Sequence, residues 1–280
     1  MSGLTDPAGV SAAALMRLEA LARQPRGTMA LAERPGAVSI RKKGRGQEVR
    51  EIRPFADGDD PRHLDAAATA RTGALQTRTF QEDREQTVLL IADFRRPMLW
   101  GTKGRLRSVA AAEALALIGW QVVLDGGAAG VVALTDAGPY VERPRTRARG
   151  MALVAGCLAR AHFVALSSQL AVTPLVPALM RAAPLAPRGA LIAIATGLDV
   201  PGDGLDAALA ALTDRCRVHL ILTEDTFETA PPSQPLSYAT PEGTARARFH
   251  GLAQDRTRRA AALVRPGLQV ERLSTDMALA

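Results

Sequence analysis

Asp93, Arg95 and Arg96 stand together at the end of one apolar run. The stretch Thr87–Pro97 reads TVLLIADFRRP, an almost unbroken apolar segment that ends in a carboxylate and is followed by two guanidinium groups. A carboxylate in such a place is an oxygen ligand for a hard cation such as Mg²⁺. Arginines beside it recognise phosphate or carboxylate, so the same tip is also a candidate site for an anionic small molecule. Both chemistries depend on what positions the tip. A run this short and apolar suits a strand covered on both faces, as in the middle of a parallel sheet. In open α/β sheets ligands sit beyond the carboxyl ends of the central strands, which is where Asp93 falls.

Other chemical signatures are missing. The stretch Gly101-Thr102-Lys103-Gly104 lacks the spacing of a phosphate-cradling loop. Neither a G-x-S-x-G elbow nor an H-E-x-x-H motif occurs. His63, His162, His219 and His250 lie singly, and Cys157 and Cys216 have neither metal-ligand spacing nor the number for a disulfide framework. Asp57-Gly58-Asp59-Asp60 resembles an acidic metal loop, but its glycine is misplaced and no glutamate closes it, so it reads as a turn. Asp60 then suits an N-cap and Pro61 a first helical position, with the helix running to about Arg71 and stopped by Gly73.

The elements around these residues follow from periodicity. Residues 11–23 place Leu15, Leu18, Leu21 and Ala22 on one helical face. From Arg34 to Gln86 the chain is densely charged and glycine-punctuated, with short strands at Val49–Arg53 and Thr77–Gln81. After Thr87, apolar strands at 129–135, 190–196, 218–223 and 268–273 alternate with helices, and Tyr140–Glu142 reads as an antiparallel edge. Such alternation implies parallel βαβ units with right-handed crossovers. The expected organisation is residues 1–86 as a helix plus a small β-rich segment, and 87–280 as an α/β domain with a hairpin insertion near 231–249.

The chain has 280 residues, enough for a full core. No apolar run is expected to reach the roughly 20 residues of a membrane span. The first residues lack a basic region followed by an apolar one, so the expected location is the cytoplasm. Net charge is +7, concentrated in the runs Arg41–Arg45 and Arg143–Arg149. Aromatic residues make up 4% and do not interleave with these runs, which argues against a stacking platform for single-stranded nucleic acid.

One long combination is specific. Gly44-Arg45-Gly46-Gln47-Glu48, then Arg53-Pro54-Phe55, then Gly58-Asp59-Asp60-Pro61-Arg62-His63-Leu64-Asp65, then Thr69-Ala70-Arg71, precede the Asp93 strand. This closely resembles domain-of-unknown-function family 58, bacterial proteins often encoded beside MoxR-type AAA+ ATPases. The likeness is strong from about Ala37 to Val132 and continues in order to Leu273. It implies a doubly wound α/β domain of von Willebrand A-like type, whose mostly parallel sheet is flanked by helices, after a small β-rich segment. It also implies a divalent-cation site built from D-x-S-x-S, a threonine and a second aspartate at the strand tips. Here Asp93 is kept, but Arg95 and Pro97 replace the two serines, and Thr196-Gly197 stands where Ser-Asp is usual. A guanidinium at position 95 repels a dication, so the expectation is no metal and no cofactor, with Asp93 paired to Arg95 or Arg96.

The resemblance thus implies a non-enzymatic interaction module, an adaptor or assembly factor working with a MoxR-type AAA+ ATPase on a protein client. Asp93, Arg95, Arg96 and Gly197 form the strand-tip candidate site. Asp59, Asp60, Arg62, Asp65 and Arg71 form a second candidate, either facing a partner or joining the small segment to the sheet through ion pairs. The competing expectations are an anionic ligand at the Asp93/Arg95/Arg96 tip and nucleic-acid binding through the arginine runs.

Overall fold

The computed structural model describes residues 6–24, 49–56, 59, 61–80, 86–240 and 243–277. The chain divides into two compact units, Ser39–Glu85 and the remainder, Met1–Val38 with Gln86–Ala280. Helix α1 (Ala12–Ala22) therefore groups with the sheet-bearing unit, unlike a division at residue 86.

The smaller unit pairs β1 (Val49–Pro54) with β2 (Gln76–Phe80) in antiparallel register, and α2 (Ala66–Thr72) lies between them in the chain. The single helix expected from Asp60 to Arg71 is replaced by a 3₁₀ turn, Pro61–His63, followed by α2. The reason is local. Leu64 bridges Thr77, so the backbone at 64–65 is extended and a helix cannot run through it. Asp65 instead caps α2, accepting a hydrogen bond from the Ala68 N–H at 2.8 Å. Gly73, at φ 71°, ends α2 as expected. Asp60 lies outside the described residues.

In the larger unit the chain runs through β3 (Thr87–Asp93), α3 (Arg107–Leu124), β4 (Ala128–Thr135), β5 (Gly138–Thr146) and α4 (Arg147–Ser167). It continues through α5 (Leu175–Ala182), β6 (Leu191–Thr196), α6 (Leu205–Thr213), β7 (Arg217–Glu224) and the short α7 (Thr226–Thr229). A hairpin of β8 (Leu236–Thr240) and β9 (Gly243–Ala247) precedes α8 (Leu252–Ala262) and β10 (Leu268–Ser274). The hairpin falls inside the insertion expected near 231–249.

Six strands form one mixed sheet in the order β10-β7-β6-β3-β4-β5, parallel except for β5 at the edge. The fold is α/β, with helices on both faces. Strand pleating explains why β3 reads as continuously apolar. Val88, Leu90 and Ala92 face the core shared with α1, α3 and α4, while Leu89 and Ile91 face the core shared with α5 and α6. Trp120 on α3 donates its indole N–H to the Leu15 carbonyl at 3.1 Å, tying α1 to this core. From β3 the chain builds outward through β4 and β5, then returns to β6 on β3's other side. That reversal makes the β3/β6 boundary the topological switch point.

Two helices correct the expectation about apolar length. α3 (hydropathy 1.3) and α4 (hydropathy 1.5) are long and apolar enough, by length and composition, to cross a membrane. Alanine-rich, nearly uncharged sequence produces this. For α3 the physical reason is plain, because 83% of it is buried between the sheet and its neighbouring helices. α4 is only half covered.

Candidate functional site

Asp93 and Thr196 end β3 and β6, so the switch point brings them together. The Thr196 hydroxyl donates to Asp93 Oδ2 at 2.7 Å. The Arg95 guanidinium lies directly against the Asp93 carboxylate. Arg95 and Asp93 are 0% and 1% exposed. Nε donates to Asp93 Oδ1 at 2.9 Å and Nη2 to Asp93 Oδ2 at 2.8 Å, the two-pronged geometry of a strong arginine–carboxylate pair. Nη2 also donates to the Asp199 carbonyl at 3.0 Å, and Nη1 to the carbonyls of Thr173 at 2.5 Å and Val200 at 3.2 Å.

These contacts exhaust both groups. A guanidinium has five N–H donors, and all five of Arg95's are engaged. A carboxylate has about four lone-pair sites. Asp93 accepts from Arg95 Nε, Arg95 Nη2, Thr196 and the Arg95 backbone N–H at 3.1 Å. Neither side chain has capacity left for a ligand. The strand-tip candidate is thus a filled site.

A second arginine pair closes the same end of the sheet. Arg107, at the first position of α3, is 1% exposed and donates to the Thr223 carbonyl at 3.1 Å, the Pro97 carbonyl at 3.3 Å and Asp199 Oδ2 at 2.5 Å. Its guanidinium lies 5.4 Å from the centre of the Trp100 ring. Arg256 on α8 donates to the Gly197 carbonyl at 2.6 Å, to Asp199 Oδ1 at 3.1 Å and to Glu228. Three arginines therefore neutralise Asp93, Asp199 and Glu228.

All three guanidinium groups grip the Gly197–Val200 loop. Its residues Leu198 and Val200 have φ of 56° and 46°. A β-branched residue in the left-handed region is a strained one, kept there only when its surroundings over-determine it. The carbonyls of Gly197, Asp199 and Val200, each bonded to an arginine, supply that constraint. Gly197 has a separate reason to be glycine, since a Cβ there would lie 1.2 Å from Arg107 Nη2.

Arg96 is apart from this cluster. It is exposed, its N–H donates to Asp136 at 2.7 Å, and its guanidinium bonds the Leu170 carbonyl. Asp136 also accepts from the Thr173 N–H at 2.8 Å, so this contact links the β4–β5 turn to the segment before α5.

Asp225 anchors the next strand end. It is fully buried, and it accepts from the Thr102 N–H and hydroxyl, the Phe227 N–H and the Thr275 hydroxyl. Burial alone would raise its pKa, but these hydrogen bonds hold it below the ordinary aspartate value. With Glu228 it forms a reciprocal cap on α7.

Asp59 and Asp65 of the charged block make contacts within the small unit. Asp59 pairs with both ends of Arg53, at 2.9 and 2.7 Å, and this hydrogen-bonded pair holds its carboxyl below the usual range. Asp65 is the α2 cap, and Arg71 is exposed in the last turn of α2, where a cation favours the helix dipole. Arg62 lies in the 3₁₀ turn.

A buried serine–histidine pair lies elsewhere. Ser108 Oγ and His162 Nε2 are 2.8 Å apart, but they are 0% and 1% exposed between α3 and α4. Burial pushes the His162 pKa down to about 4, with Asp6 opposing, so the ring is neutral packing rather than an accessible base. Cys157 is pushed up to about 11, first by burial and then by Glu142, which keeps its thiol protonated. Among the described residues no group of three or more His, Cys, Asp or Glu could hold a metal ion.

The family model described as "Protein of unknown function DUF58" matches residues 51–261. The chain belongs to the DUF58 family. No curated protein matches it significantly. Within this DUF58 chain, Asp93, Arg95 and Gly197 meet at one strand-end cluster, whereas Arg96 lies apart from it. Sequence reasoning missed Arg107, Asp199, Arg256 and Glu228. Its one available signal was Gly197, whose missing side chain marks the space that Arg107 fills.

Proposed function

We propose that this chain is a non-enzymatic protein-interaction module of von Willebrand A-like type, in which an arginine side chain stands in for the divalent cation. The observation that carries this reading is the complete saturation of Asp93 and Arg95 by each other, Thr196 and three loop carbonyls. A guanidinium there supplies the positive charge that organises the strand-end loops, with no need for Mg²⁺. The sheet order, with its antiparallel edge and its switch point at β3/β6, supports the von Willebrand A-like type. The family resemblance supports work in the cytoplasm as an adaptor or assembly factor with a MoxR-type AAA+ ATPase and a protein client.

A ligand-binding tip is the weaker reading, because Arg95 has no donor left for an anion and is sealed from solvent. Two measurements test the proposal. Calorimetric titration with Mg²⁺ or Mn²⁺ should give no saturable heat; saturable binding that disappears in Asp93→Ala would overturn the metal-free reading. Gel filtration of the chain with the purified MoxR-type ATPase of the same organism should give a co-eluting complex. Failure to co-elute in both the ATP-bound and ADP-bound states would sink the adaptor role.

A further inference from the structure

α4 has a buried apolar face and a second, partly apolar face that the other described residues leave uncovered. Its inner face, including Met151, Val154, Leu158, Ala161 and Ala165, is buried. On its outer face Leu153, Phe163 and Leu166 are 37%, 72% and 44% exposed. The outward residues Arg149, Leu153, Gly156, Arg160, Phe163 and Ser167 follow a 4-3-4-3-4 spacing. That places them on one face of the helix, with Leu153 and Phe163 its apolar members. At Gly156 a Cβ would meet nothing within 4 Å, so the seam has an open hole between its apolar knobs.

Charge says what fits. α4 carries Arg147, Arg149 and Arg160 and no acidic residue. Arg147 and Arg149 are exposed and make no ion pair or side-chain hydrogen bond with the described residues. They also occupy the first helical turn, where the dipole disfavours cations. Arg160, on the same face, contacts Glu142 at 3.4 Å and the Cys157 thiol. A membrane surface is a poor match, because Arg149 and Arg160 lie on the midline of the seam, at the depth where a helix lying in a bilayer keeps apolar residues. A facing helix can place carboxylates opposite them.

We propose that the outer face of α4 is a docking surface for an acidic amphipathic helix of a protein partner. Apolar residues of that helix seat around Leu153, Gly156 and Phe163, and its carboxylates face Arg149 and Arg160. The seam from residue 149 to 167 spans roughly 27 Å, five helical turns. α4 starts where Thr146 pairs with Ala128, the first residue of β4, so Arg147 and Arg149 stand at the opposite end of the sheet from Asp93. The inference therefore holds whether or not a AAA+ ATPase is the partner.

The test uses the whole protein and a synthetic peptide of about 20 residues, with leucine at a and d and glutamate at the flanking positions. Fluorescence anisotropy should show saturable, salt-sensitive binding. Phe163→Glu, Phe163→Ser and the pair Arg149→Glu/Arg160→Glu should each weaken it at least about tenfold with unchanged circular dichroism, as should glutamine in place of the peptide's glutamates. Absence of binding, or binding indifferent to these substitutions, would refute the surface. So would co-sedimentation with phosphatidylserine-containing vesicles, or self-association in the ultracentrifuge, that Phe163→Glu abolishes while the peptide fails to bind.

Discussion

Arg95→Met isolates the buried guanidinium, because methionine keeps apolar bulk and removes every donor. Five hydrogen bonds end at this guanidinium. At a net ~0.5–1.5 kcal/mol each they are worth roughly 3–7 kcal/mol. Breaking a buried ion pair by removing one partner costs about 3–5 kcal/mol, since the other charge stays behind unpaired. Arg107 and Arg256 still grip Gly197 and Asp199, so the strain at Leu198 and Val200 is not released. The expected loss is therefore about 3–5 kcal/mol, a fall in Tm of roughly 6–20 °C at ~2–4 °C per kcal/mol. Urea unfolding followed by the fluorescence of Trp100 and Trp120 reads it directly. Adding Asp93→Asn to Arg95→Met removes the stranded carboxylate and should recover stability relative to Arg95→Met alone. A loss below ~1 kcal/mol, or a double variant as unstable as the sum of the two singles, would refute the idea that these side chains form one unit.

Gly197→Ala should destabilise the protein by about 1–3 kcal/mol, the range for overpacking a tight site, because its new methyl group meets Arg107 Nη2; an unchanged urea midpoint would show that the loop simply yields. His162→Gln should flatten the decline of stability with acid. The unfolded chain takes up a proton on His162 below about pH 6.5 while the folded ring resists until about 4, so stability is full above 6.5 and falls through that window. At 1.36 kcal/mol per unit the fall is at most ~3 kcal/mol. Glutamine keeps a partner for Ser108 and does not titrate, so Tm values at pH 7 and 4.5 should differ less in the variant; equal differences would overturn the assignment. Asp225 acts in a separate window, because its depressed pKa keeps its contribution intact until the pH falls below the ordinary aspartate value.

The sheet was legible because it rests on local pattern. The β3 run and the later apolar strands announce themselves within a few residues, and only their ends moved, as when the edge strand expected at Tyr140–Glu142 ran over Gly138–Thr146. α2 was misread because a bridge between Leu64 and Thr77 outweighed a plausible cap at Asp60. The strand-end cluster was half legible. Only Phe94 separates Asp93 from Arg95, so their pairing was a local inference. The loop carbonyls that complete Arg95's coordination are 78 to 105 positions away, and carbonyls leave no mark in sequence. Arg256 sits in a helix with other arginines, Arg258 and Arg259, and nothing but tertiary structure singles it out.

Under the proposed von Willebrand A-like reading, the departures from the cation motif are mechanically linked rather than independent. Arg95 brings the charge that the motif would take from a metal ion, and Asp93 remains to bind it. Pro97, in place of the second serine, turns its carbonyl to Arg107. Gly197, in place of the usual aspartate, leaves the space into which Arg107 reaches. Asp199, two residues on, supplies the carboxylate that position 197 lacks, and it binds Arg107 and Arg256 instead of a cation. Restoring one member alone does not rebuild a metal site, since an aspartate at 197 would collide with Arg107 while Arg95 still covered Asp93. A buried charge cluster of this kind is weak evidence for stability, because apolar side chains can fill such a volume at least as well. Its effect here is to fix geometry. Three guanidinium groups hold one strained loop in a single conformation.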